Sequence, residues 1–141
     1  MTYRQDFASS ARRHLKCASL LFSSEVAGAQ PGCKAVAGYL FGVSGELAVK
    51  QIMRASGMKP LPPEDRRDDP YFAHFPALKT LLRDSAMGRR SGELRRLAED
   101  HGLFQNWDTD MRYAPTSDIQ AGWVAEWKRR AELLVADMDA P

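Results

Sequence analysis

Apolar residues recur at helical spacing through most of the chain. Tyr3, Phe7, Ala11, Leu15, Ala18 and Phe22 follow one another at intervals of three and four, which puts them on one face of an amphipathic helix. Arg4, Arg12, Arg13 and Lys16 fall largely off that stripe. Thr2 with Gln5 has the form of a capping box, in which each side chain satisfies a free amide at the helix start. The stretch "GAQPG", residues 28–32, stops this helix, because glycine adopts the left-handed cap and Pro31 cannot continue the turn.

A second helix is predicted from about Lys34 to Ser56, ending at Gly57. Val36, Leu40, Val43 and Leu47 form its apolar line, with Tyr39 beside it. Next to that line runs a row of small residues, Ala35, Gly38, Gly42, Gly45 and Ala48. A helical glycine costs about 1 kcal/mol relative to alanine, so three of them call for an offsetting gain. Close approach of another helix is the natural one.

The stretch "KPLPPEDRRDD" reads as a loop excursion over about 57–69 within one domain spanning 1–141. Asp69-Pro70 then offers a cap and a first-turn proline, followed by Phe72, Phe75, Leu78, Leu81 and Leu82 on a third apolar face. The pattern breaks near Gly88. It resumes from Ser91, a candidate cap, with Leu94, Leu97 and Ala98 inward, and closes at His101-Gly102. Beyond Pro115, Ser117 and Gln120 repeat the capping-box spacing. Ile119, Trp123, Trp127, Ala131, Leu134 and Met138 form a last stripe. Nothing alternates as a strand would. The expected fold is an all-α bundle of four or five helices.

Composition narrows the function without naming it. In 141 residues the formal net charge is +2, too mild to argue for nucleic-acid binding by itself. The charge is uneven: residues 1–60 carry eight Lys/Arg against three Asp/Glu, and residues 61–141 carry twelve against fifteen. Such a dipolar chain suits docking to a copy of itself or to a charged partner. Cys17 and Cys33 have no metal-ligand spacing and read as buried reduced thiols. No run approaches the ~18 apolar residues of a membrane span, and the expected location is cytoplasmic, with no membrane partner.

Candidate chemistry is sparse. His14, His74 and His101 lie far apart, no glycine-rich phosphate loop follows a strand, and neither a metal nor a cofactor is expected. Glu46 sits inside the most apolar helix, where a buried carboxylate needs a cationic partner and hydrogen bonds. Arg112, with its planar fork, is the expected partner. Arg112 belongs to "NWDTDMRYAP", residues 106–115, which also carries Trp107 and Tyr113. Trp107 is expected to plug the end of the bundle, and Tyr113 to pack where the chain turns.

The helix "YLFGVSGELAVKQIM", the following "HFPALKTLL", a tryptophan ahead of an Arg-Tyr pair and a last amphipathic helix together resemble the HEPN superfamily of small helical bundles. Glu46 and Lys50 hold places comparable to that family's acidic residue and lysine, and His74 to Leu82 to its third-helix opening. Many HEPN proteins are metal-independent RNA endonucleases that place a histidine four to six residues after an arginine, near the last helix. Here the positions four to seven residues after Arg112 are Thr116, Ser117, Asp118 and Ile119, with no histidine. Arg96 and His101 have the spacing one helix earlier, but five residues turn a regular helix by roughly 140° between them.

Other members lack the pair and act as partners of nucleotidyltransferases in toxin–antitoxin modules or as interaction domains. The resemblance therefore implies a homodimeric, partner- or ligand-binding module of a toxin–antitoxin or defence system. Trp107, Arg112 and Tyr113 are its candidate binding residues. The alternative is an RNA endonuclease using Arg112 or the Arg96–His101 pair, with Glu46 a further catalytic candidate. A third reading binds nucleic acid through Arg4, Arg12, Arg13 and Lys16.

Overall fold

A computed structural model describes residues 3–140. Five α-helices, α1 (Phe7–Phe22), α2 (Gly32–Ala55), α3 (Ala77–Ser85), α4 (Ser91–Glu99) and α5 (Ala121–Asp137), are joined by loops and short 3₁₀ turns. There is no strand among the described residues. α2 is the central helix, packed along α1 and α5, while α3 and α4 form a smaller pair beside it.

The helix starts differ from the periodicity. α1 begins at Phe7, where Asp6 accepts the amide of Ser9 at 3.0 Å as its cap. Tyr3 is exposed, and the proposed box falls on Thr2, outside the described residues. Ser91 is the first residue of α4 rather than its cap. Ser117 lies in a 3₁₀ turn, and Gln120 precedes α5 with no capping side chain. Spacing alone cannot tell a cap from a residue one turn away, because the cap depends on backbone angles.

α2 is turned relative to its expected stripe. Val36 is more than half exposed, and Leu40, Val43 and Leu47 are half-buried. The deep faces instead carry Ala37, Phe41, Ser44, Ala48 and Ile52 and the glycine row. Packed on several sides, a central helix buries its small residues, where neighbours come closest. At Ser44, Oγ donates to Ala11 O on α1 at 2.8 Å, so two fully buried small residues bring these helices together.

The glycine row receives rings. A β-carbon at Gly38 would stand 3.0 Å from Trp127 and Val124 of α5. At Gly42 it would stand 2.0 Å from the Trp107 indole, and at Gly45 2.4 Å from the Phe104 ring. The offset to the glycine cost is therefore partly a neighbouring helix and mainly the loop after α4. That loop pays a local cost, since Phe104 takes φ +51 and Asn106 φ +70. These left-handed residues turn the chain so that positions 104 and 107 both face α2.

The far end is tied by Arg90, buried between α4 and α5. Its guanidinium donates to Met138 O at 2.8 Å and to Asp137 O at 2.9 Å at the end of α5, and Asp137 O also accepts the Ala140 amide at 3.0 Å. It also forks onto Glu93 at 2.7 and 2.8 Å. Nearby, Gly88 at φ +89 lies so close to Ser56 O that a β-carbon would sit 1.7 Å away. No helix among the described residues is long and apolar enough to cross a membrane. Cys17 is exposed and Cys33 half-buried, so the expectation of two buried thiols is corrected.

Candidate functional site

Two places bring chemically distinctive side chains together. The first surrounds Glu46, which is 3% exposed near the middle of α2. Its Oε1 accepts the Phe75 amide at 2.7 Å, and its Oε2 accepts from His74 Nδ1 at 3.0 Å. A carboxylate can only accept here, so it sets the imidazole tautomer with hydrogen on Nδ1. The imidazole remains largely in solvent, its side chain 63% exposed, and covers the carboxylate from outside.

One turn further along α2, Lys50 is buried as well. Burial pushes the Glu46 carboxyl above its ordinary value, opposed by the bonds from His74 and Phe75. Burial likewise pulls the Lys50 amine down, opposed by Glu46 and Asp69. Asp69 is itself buried and accepts the amides of Leu61 and Tyr71, both at 2.9 Å. The cluster's evident mechanical effect is to clamp the entry of α3 onto α2. Among the described residues, no group of three or more His, Cys, Asp or Glu is placed to hold a metal ion.

The expected Glu46–Arg112 pair does not form. Arg112 is exposed, and its Nε donates to Thr109 O at 2.9 Å, three residues back. The 3₁₀ turn Thr109–Tyr113 holds it on the outer side of the connection, while His74 and Phe75 take the carboxylate. The His74 contact joins positions 28 apart, in a stretch expected to be helical from Asp69-Pro70 onward; Asp69 instead caps a 3₁₀ turn, Pro70–Phe72, and α3 begins only at Ala77.

Arg112 instead belongs to the second place, a groove of about 430 Å³ between the first turns of α2 and the 111–119 connection. Ala35, Val36, Met111 and Ile119 contribute its apolar surface, and Tyr39 and Arg112 also line it. The guanidinium carbon lies 5.7 Å from the Tyr39 ring centre and 5.3 Å from that of Tyr113. Tyr113 is 80% exposed, which corrects the expectation that it packs at the turn. Tyr39 stacks on Trp107 with centres 5.6 Å apart, and the Trp107 indole donates to Gly38 O at 3.1 Å. Trp107 is buried against Gly42 of α2 and forms the backing of the groove.

Arg96 and His101 line different cavities. Arg96 lines a cavity with Arg89, Arg90 and Asp137. His101 lines another with Pro76, Lys79 and Asn106. Arg12 is paired with Asp139, and Arg54 lies over the Phe7 ring, so the basic residues of the first half are partly engaged within the chain. Tyr39 and Val36 were visible in the sequence only as members of a helical stripe, and the exposure of Val36 marks them as groove residues. Compared with protein-family models, curated proteins and solved structures, the chain finds no significant match.

Proposed function

We propose that this chain is a HEPN-like helical module that binds a partner or ligand, works as a homodimer and serves a toxin–antitoxin or defence system. The observation that carries the reading is the groove at Arg112. There a cation without a carboxylate partner among the described residues, the Tyr39 ring and an apolar floor meet solvent together. This is the make-up of a recognition surface, in which a few polar groups orient what an apolar wall holds. The HEPN reading draws support from contiguity: Glu46 and Lys50 of α2 and His74 at the opening of "HFPALKTLL" lie in one cluster. The binding reading is favoured over cleavage because Arg96 and His101 line separate cavities.

Light scattering of the purified chain, together with incubation of single-stranded RNA in chelator, tests this. The expected outcome is a dimer at tens of micromolar and intact RNA. A monomer at that concentration counts against the dimeric module. RNA cleavage lost on Arg112→Ala replaces binding with the nuclease reading.

A further inference from the structure

We infer that the Tyr39–Arg112 groove is a binding site for a monocarboxylate with an apolar, preferably aromatic, body. The inference rests on the binding reading above and names its ligand class. The charge at the groove sets the sign. Arg112 is the one cation in the lining and no acidic side chain lines it, so the complementary group is an anion.

The state of Arg112 sets the geometry. Its Nε is spent on Thr109 O, which fixes the plane of the fork, while its terminal nitrogens make no hydrogen bond or ion pair among the described residues. A planar fork with open parallel donors matches the two oxygens of a carboxylate. A single guanidinium also selects a single negative charge. A phosphate monoester, which carries close to two charges at neutral pH, would be left with one of them unmatched.

The rest of the groove sets the body of the ligand. Val36, Met111 and Ile119 give an apolar surface, and Thr116 is the lining residue with a side-chain hydroxyl besides Tyr39. A volume of about 430 Å³ suits a ring with a short alkyl tether. Tyr39, braced from behind by Trp107, presents a ring held in place before the ligand arrives. Tyr113 is outside the lining, and its exposed ring stands 5.3 Å from the Arg112 guanidinium carbon.

Titration calorimetry with phenylbutyrate, and with phenylbutanol as its uncharged analogue, reads the proposal directly. The acid is expected to saturate one site per chain. The alcohol should bind about tenfold more weakly, the worth of one charge-assisted hydrogen bond. Arg112→Gln should bring the acid down to the level of the alcohol. Arg112 is exposed, so folding is not expected to suffer. Val36→Asp provides a second variant, setting a carboxylate on the groove floor to repel the acid while leaving Arg112 in place. Equal binding of acid and alcohol, acid binding indifferent to both substitutions, competition by inorganic phosphate at equal strength, or no binding at all would each overturn it. Absent acid binding by a dimer that leaves RNA intact removes this inference alone. Arg112-dependent RNA cleavage removes the binding reading itself.

Discussion

Glu46 is the residue whose chemistry is most at odds with its surroundings, and its behaviour follows from two oxygens with two different donors. Replacing it with alanine leaves the buried Phe75 amide without an acceptor, a loss of about 2 kcal/mol in denaturant unfolding. Glu46→Gln keeps an acceptor for that amide and removes the buried charge, so its stability at neutral pH should match or exceed the wild type. The pH dependence has a definite sign. The folded carboxyl titrates above its ordinary value of 4.5, because burial disfavours the charged form. The folded state therefore holds the proton more tightly than the unfolded state does. The contribution of Glu46 is fully present below 4.5 and is lost as pH rises through the raised folded value. Relative to Glu46→Gln, the wild type should lose stability across that window. A parallel pH profile of the two proteins would contradict the burial account. The need for a partner was legible at this position, since a carboxylate in an apolar helix requires one. Which residue answers was not, because Arg112 lies in a 3₁₀ turn and His74 in a stretch whose helical spacing, Phe72 to Phe75 to Leu78, is not realised before Ala77.

Helices were legible as elements, since stripes at spacings of three and four mark all five, from Phe7, Ala11 and Ala18 on α1 to Trp127, Ala131 and Leu134 on α5. The rotation of α2 was less so, because a central helix is packed on several sides and its larger residues do not define one inner face. Its glycines carried the better signal. Gly42→Ala gains helix propensity of about 1 kcal/mol but drives a methyl into the Trp107 ring at 2.0 Å. Displacing that ring should cost about 3 kcal/mol and dominate, lowering the melting temperature. Gly122→Ala, in the first turn of α5 with nothing within 4 Å of the added carbon, should be neutral or slightly stabilising. Equal melting temperatures for the two variants would show that the rings do not rest on α2 as described. The left-handed pair was not legible in the sequence, since asparagine tolerates that region without requiring it and phenylalanine rarely adopts it; the need arises only when two aromatic rings must reach one helix.

On the scale of the whole molecule, the aromatic layer links core to surface. Phe75, whose amide Glu46 holds, stacks on Phe104 at 5.0 Å and meets Trp107 edge-on at 6.3 Å. Trp107 then stacks on Tyr39 at the groove. The groove is preformed and backed by buried rings, with Arg112 supplying its charge. Proton–nitrogen correlation spectra of the labelled chain, titrated with phenylbutyrate, test it most directly. Saturable shifts are expected at residues 35–39, residues 111–116 and the Trp107 indole, with Arg96 and His101 unmoved. Shifts centred on Arg96 and His101, or a spectrum unchanged to saturating ligand, would contradict it.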